Sequence, residues 1–435
     1  MKDSKNFWAL DWLRFFLAVY LVVFHTQSEY FAPNSLIGSI LDLGNMVTGT
    51  FFVLSGFLLT HVYFGTQSKQ QGFKKKSFWI ARFSTLYPLH MVGFVVAFSI
   101  SLVQIYKTGS ILVPAGLFDP AERPLETNEL VAGIASHLLL LHAWNPFYQI
   151  LNGPSWSLSA LMFFYIVFPY LGISLYKFRQ PLVLLAGLWV LFSLPGILAQ
   201  LFDDNSVLID GLLHRNPILR LPLFLAGIPL YAAYARRSNG AGVLGAAEKQ
   251  GCLLLIVATA AAAVYLKLQY PGQQLHILRN GFYFPAALAI VWLAAFAGPA
   301  ASALNTRWSA RLGKASLSIF ILHASAFHVL EKIEQVVRAA FAGQAGTQGI
   351  GSIISASRDI EPVLYLYPVY VALIVVGALI VQERLVTPVQ ARCRSMLTQW
   401  LGNGQAHKEP APTVQKSYRM QSAWSDEVNV EEVAR

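Results

Sequence analysis

Apolar runs of roughly 18 residues or more recur along most of the chain, separated by short polar stretches that hold nearly all the charge. A run of that length, wound as a helix, crosses a hydrocarbon layer of about 30 Å and satisfies its own backbone hydrogen bonds on the way. The pattern predicts spanning helices over 8–28, 44–64, 78–106, 155–176, 181–201, 218–235, 250–267, 280–298, 313–338 and 361–382. The expected fold class is therefore all-α, a multi-pass membrane bundle of about ten helices. An eleventh apolar piece, Leu130–Trp144, has about 15 residues and is short for a crossing. Counting it would put Lys177 and every later basic loop on the wrong side, so it is expected outside the membrane core, interfacial or re-entrant.

Composition agrees with this reading: 55% of the 435 residues are hydrophobic and only 12% charged, with a mean hydropathy of +0.50. Lys and Arg number 32 against 22 Asp and Glu. The bases form no single patch, which argues against nucleic acid, and instead sit between apolar segments, where they set topology. Lys2, Lys5, Lys69, Lys74–Lys76, Arg82, Lys177, Arg179, Arg236, Arg237, Lys249, Arg307, Arg311, Lys314, Arg384, Arg392 and Arg394 fall on one side of ten alternating helices. Both termini are then expected in the cytoplasm of a cell (inner) membrane protein in contact with lipid, and the acidic stretches Asp119–Glu129 and Asp203–Asp210 on the other side. Met1–Asn6 leads straight into an apolar segment interrupted by Asp11 and Arg14, so the first helix is expected to remain uncleaved. The polar stretch from Gly402 reads as a mostly disordered tail, dividing the chain into a membrane domain, 1–400, and a tail, 401–435. Cys252 and Cys393 are too few for a disulfide framework.

Ionisable residues inside spanning segments are expensive unless they face the bundle interior, so they mark candidate chemistry. The first helix, LDWLRFFLAVYLVVFHT, places Arg14 and His25 eleven residues apart, within about 20° of one face and separated by about 16 Å along the axis. Asp11 shares that stripe and can pair with Arg14, an arrangement that a simple snorkelling arginine would also give. TGTFFVLSGFLLTHVY carries Ser55 and Gly56, small residues that permit close helix approach. KKKSFWIARFSTLYPLH places Arg82 at the start of the third helix, where a guanidinium fork suits phosphate as well as topology. LHAWNPFYQILNGPSWSLSA brings His142, Trp144, Trp156, Ser157 and Ser159 to a Gly-Pro helix start. GKASLSIFILHASAFHVL puts Ser316, Ser318 and His323 on a late helix.

Together these pieces resemble the integral-membrane acyltransferase-3 superfamily, whose better-known members O-acetylate cell-surface polysaccharides such as O-antigen and exopolysaccharides. The resemblance covers about residues 7–385 and rests on five pieces in order: LDWLRFFLAVYLVVFH with its Arg-x10-His spacing, FFVLSGFLLT, the basic stretch with Arg82 before YP, LHAW…NGPSWSLSA…FFY…FP, and the looser LSIFILH. It implies transfer of an acyl group from cytoplasmic acyl-CoA, acetyl-CoA above all, to a hydroxyl of a cell-envelope carbohydrate or lipid-linked sugar, with no metal expected. On that reading Arg14 and Arg82 bind the donor. His25 is general base or transient acyl carrier, with Asp11 and His323 beside it in the catalytic set, and Ser55, His142, Trp156 and Ser157 contact substrate. The chain departs from the family pattern at Leu161, where Glu is usual, at Thr85, where a second Arg is common, and at Ser325, where Pro is frequent. A transporter or glycan flippase would use the same Arg–His column as a substrate or proton path.

Overall fold

The computed structural model describes residues 7–32, 35–114, 122–238, 243–273, 275–297, 307–341, 357, 360 and 363–402. Among these, ten segments are helical, long and apolar enough to cross a membrane. Their helices are α1 (Trp8–Thr26), α2 (Gly44–Phe64), α3 (Lys75–Thr108), α5 (Trp156–Lys177), α6 (Pro181–Leu201), α8 (Pro217–Ser238), α9 (Ala246–Gln269), α10 (Phe284–Ala295), α11 (Arg307–Ala339) and α12 (Tyr367–Val381), which continues into α13 (Thr387–Gly402). α4 (Thr127–Leu138) is a shorter helix between spans, and α7 (Val207–Arg215) opens the apolar segment that runs on through α8, both on the side opposite the basic loops, here the far side. Strands β1 (Leu112–Pro114) and β2 (Glu122–Pro124) pair antiparallel there, with Val113 opposite Arg123. Lys2, Lys5, Asp119 and the tail beyond Gly402 lie outside the described residues.

α4 has 12 residues, about 18 Å of helix, and lies outside the spanning set, as its length requires. Two spans differ from the sequence expectation. The segment expected as a continuous helix over 280–298 is broken near its start, at Asn280 (φ −127°, ψ 96°) and Gly281 (φ 117°). Gly281 takes a backbone region that a side chain disfavours, and a Cβ there would meet the Ser193 side chain at 2.3 Å. Regular helix resumes only at Phe284, with Pro285 in its first turn, so α10 is short. The last span does not stop at 382. A wider π turn, Gln382–Val386, links α12 to α13; directly before Pro388, it gives the ring room that a tight α turn denies. The charges within it are met by a two-pronged pair, Arg311 Nε and Nη2 to Glu383 at 2.7 and 2.9 Å.

Association of helices within lipid rests on close packing more than on hydrophobic burial. α2 and α8 show this plainly. A Cβ on Gly56 would stand 2.0 Å from the Phe224 carbonyl oxygen, and one on Gly227 would stand 2.1 Å from that of Val53, so the backbones meet where both side chains are absent. Around that contact Phe52, Phe164, Phe168 and Phe224 interlock edge-on and stacked, with centroids 5.2 Å apart for Phe52–Phe164 and for Phe164–Phe224. α1 packs most extensively on α11. Gly313 lets Asp11 come close, since a Cβ there would lie 2.7 Å from the Asp11 Cβ.

Candidate active site

The α1–α11 contact brings two intramembrane histidines, His25 and His323, together. The His25 and His323 rings lie 5.0 Å apart, centroid to centroid. His25 Nδ1 lies 2.8 Å from the Leu21 carbonyl, and His323 Nδ1 bonds the Phe320 carbonyl. A carbonyl only accepts, so each Nδ1 carries the proton and each neutral ring keeps Nε2 as a bare acceptor. His323 is fully buried and its Nε2 has no partner among the described residues. His25 keeps an exposed edge.

Beneath the pair runs a cavity of about 110 Å3, enclosed by α1, α2, α3, α5, α11 and residues Gln382 and Gln390. Leu21 and Phe320, the residues whose carbonyls hold the histidines, line it, as do Arg14, Ser55, Ser157 and Lys314. Arg14 is ion-paired with Asp11, both buried, which meets the cost of charge inside a span. Asp11 lies fourteen residues before His25, about 21 Å along α1, so its contact is with Arg14 and not with the histidine. Arg82 is buried, donating from Nη2 to the Tyr63 hydroxyl at 2.9 Å with its guanidinium over the Tyr63 ring. Tyr165 lines the same cavity as Arg14 and Ser55 and lies within electrostatic range of both Arg82 and Arg14.

The NGPSWS helix start acts as a brace. Asn152 Nδ2 donates to the Ile321 carbonyl at 2.8 Å, two residues before His323. The Ser157 hydroxyl donates to the Pro154 carbonyl at 3.0 Å while the residue lines the cavity. Trp156 packs on Phe52 and on His214, the latter at 5.0 Å between centroids. His142 is elsewhere, in a stack with His137 (4.0 Å) and His90 (5.5 Å) beside a second, much smaller cavity. His137 and His142 lie outside the spans. Burial lowers His137 to about 4. Burial, then His137 and His90, hold His142 well below the usual imidazole range. These rings stack and do not converge, and no group of three His, Cys, Asp or Glu among the described residues could hold a metal ion.

The cavity thus collects Arg14, Ser55, Ser157 and Ser316 of the sequence-derived candidates, and Leu21 and Phe320 in its wall hold His25 and His323. His142 stands apart, and Ser318 donates to Gln382. Gln382, Gln390, Lys314 and Tyr165 went unassigned in the sequence, and only Tyr165, inside FFY, carried a signal. Two departures from the family pattern, Thr85 and Leu161, face this cavity.

The acyltransferase-3 family pattern, described as an acyltransferase domain, matches residues 7–382. Acyltransferase MdmB of Streptomyces mycarofaciens is 32% identical over 168 residues, 37% of this chain and 38% of that protein. Peptidoglycan O-acetyltransferase OatA of Listeria monocytogenes is 26% identical over 346 residues, 72% of this chain and 48% of that protein. Protein 2 of the picA locus of Rhizobium radiobacter is 31% identical over 160 residues, 35% of this chain and 76% of that protein. The chain thus spans less than half the length of the first two. No solved structure matches.

Proposed function

This chain belongs to the acyltransferase-3 family, and from that premise we propose that it moves an acyl group, acetyl by preference, from acyl-CoA to a hydroxyl of a cell-envelope carbohydrate or lipid-linked sugar. The observation that carries the reading is the cavity lined from Arg14 to Leu21 and Phe320, the residues whose carbonyls bond the Nδ1 atoms of His25 and His323. A guanidinium at one end suits the phosphates of coenzyme A, and a mostly apolar bore suits a pantetheine arm and its thioester. At the other end a bare imidazole nitrogen suits a base. Arg14 and Arg82 hold the donor, with Asp11 positioning Arg14. Nε2 of His25 takes the acceptor hydroxyl proton as that oxygen bonds to the thioester carbon. The carbon–sulfur bond then breaks, and the proton passes on to the departing coenzyme A thiolate. Ser55 and Ser157 build the walls, His323 and Trp156 support the site from beside it, and His142 braces the loop behind them.

The basic loops orient the donor end and both termini towards the cytoplasm, in the inner membrane. The test is reconstitution in vesicles with labelled acetyl-CoA and an envelope carbohydrate extract. Label transferred to carbohydrate supports the reading; carbohydrate movement with no transfer replaces it with transport. Cysteines placed at Lys75 and Arg237 should resist an impermeant thiol reagent in intact cells while one at Asp204 reacts, and the reverse labelling overturns the orientation.

A further inference from the structure

On the far side of His25 the structure gathers charge that the donor half of the reaction does not use. Arg215 at the end of α7, Arg220 in α8 and Arg279 in the broken segment before α10 surround Asp210 and His214. His214 lies within electrostatic range of all three guanidiniums and of His25. Asp210 is buried and ion-paired with Arg279. The other carboxylates nearby are those of Asp204, which accepts from the Ser206 backbone N–H at 3.0 Å, and Asp203, which accepts from the Asn205 side chain at 2.9 Å. Three guanidiniums against Asp210 leave an excess of two positive charges, with Arg215 and Arg220 both buried.

Their hydrogen-bonding capacity is also in excess. Each guanidinium has five N–H groups. Arg215 uses Nε on the Asn145 carbonyl at 2.7 Å. Arg220 uses Nε on the His214 carbonyl and Nη1 on the Arg279 carbonyl, at 2.8 and 3.2 Å. Arg279 uses Nη1 on Asp210, and about a quarter of its side chain remains accessible. The next residue, Asn280, is fully buried, and neither its amide nitrogen nor its oxygen has a partner among the described residues. It sits where the span loses helical geometry, and irregular backbone at membrane depth is tolerated where it is enclosed by protein or lines a binding space. Buried positive charge in excess and an orphaned amide at a helix break, with Arg220 Nε on the His214 carbonyl, are the features of a site built for an anion.

We propose that the acceptor is anionic, a hydroxyl-bearing sugar that carries a phosphate or carboxylate, held by Arg215, Arg220 and Arg279 so that its hydroxyl reaches His25. The proposal rests on the acyl-transfer reading above for its role, though the anion site itself does not. The charge would fix the acceptor's orientation, while neutral sugars lacking it would pass over the base without register.

The test uses the full chain in nonionic detergent, titrated by calorimetry at low salt with glucose 1-phosphate, glucuronate and glucose, and separately with coenzyme A. At least one anionic sugar should bind about tenfold or more tightly than glucose, an advantage that shrinks as salt rises; which anion wins tells phosphate from carboxylate. Arg279→Gln, at the accessible member, and Arg220→Gln should each remove most of that advantage and leave coenzyme A affinity unchanged. Asp210→Asn, which removes the competing carboxylate, should raise anion affinity in a chain whose melting temperature shows it folded. Equal binding of glucose and both anions overturns the proposal, as does an advantage that survives Arg279→Gln. If anion binding depends on these arginines but coenzyme A does not bind and no thioester is cleaved, the acyl-transfer reading fails, and the acceptor role falls with it.

Discussion

His25 and His323 face each other at 5.0 Å from different helices, each with Nδ1 committed to a carbonyl of its own helix. The consequence is a pair of bare Nε2 atoms in neighbouring rings, one accessible and one fully buried. The accessible ring can meet an acceptor; the buried ring can only hold it in place. His323→Asn should therefore lower acyl transfer by about tenfold, less than the roughly 10²–10⁴ that an acid–base group contributes, with donor affinity unchanged. A fall in turnover as large as that of a His25 variant would reverse the two roles.

The proposed donor site has two buried guanidiniums, Arg14 and Arg82. Arg14→Ala or Arg82→Ala should raise the donor KM or abolish turnover, since a charge-assisted contact to phosphate contributes on the order of 2 kcal/mol. Lysine should rescue only in part, lacking the fork. Arg14→Ala also strands Asp11 as a buried unpaired carboxylate, so the double variant with Asp11→Asn separates loss of folding from loss of binding. Unchanged donor affinity in both alanine variants would return Arg14 to a structural role.

Ser55 and Gly56 are adjacent and serve different ends. Ser55 lines the cavity, while Gly56 lies against the Phe224 carbonyl. Backbone cannot give way as a flexible side chain does, so Gly56→Ala should destabilise the bundle by about 1–3 kcal/mol, read as a lower thermal midpoint in detergent. Ser55→Ala should leave that midpoint nearly unchanged and act on donor binding alone. A fully stable Gly56→Ala protein would refute the close α2–α8 approach.

Acid should loosen the far-side loop before the bundle. Burial lowers His137 to about 4 and holds His142 low as well. The unfolded loop, with ordinary imidazoles, therefore binds more protons as pH falls. Stability from these groups is complete above about pH 6.5 and is lost as pH drops towards about 4. Glu129, lowered to about 2 by its hydrogen bond with Arg123, adds a second loss only below the ordinary carboxylate range. Amide protection over residues 127–153, taken relative to the intrinsic exchange rate at each pH, should fall between pH 6.5 and 4, and His137→Phe should flatten that fall. A pH-independent protection would show that the stack carries no linkage.

The spanning pattern was legible because lipid admits few solutions: an apolar run must satisfy its own backbone, so length alone sets most crossings. The break at Asn280 was not, because an asparagine and a glycine inside an apolar run also occur in continuous helices, and the orphaned amide appears only once α6 is in place. The α12–α13 continuation depends on Arg311, more than seventy residues away in the chain, meeting Glu383. Arg14 and His25 could be placed on one stripe from helical period alone. The cavity that Arg14 shares with Thr85, Leu161 and Gln390 is tertiary, and no local spacing encodes it.

Leu161 gives the sharpest test of the chemistry. It lies on α5 one helical turn from Ser157 and lines the same cavity, at the position where the family pattern usually has Glu. An apolar side chain there neither orients a base nor helps a proton leave, so under the proposed reading His25 acts without that acid. His25→Ala should remove about 10²–10⁴ of the rate while donor binding stays near normal, and His25→Gln, which keeps a hydrogen bond but takes up no proton near neutrality, should be almost as defective. Leu161→Glu restores the acid in a cavity that already holds Arg14, whose positive charge favours the ionised form. Turnover in that variant should rise, and the gain should vanish when His25→Gln is combined with it, measured as labelled acyl transfer at matched donor saturation. A gain that survives the loss of His25 would place the base elsewhere in the cavity, and wild-type turnover by His25→Gln would end the case for base catalysis at this position.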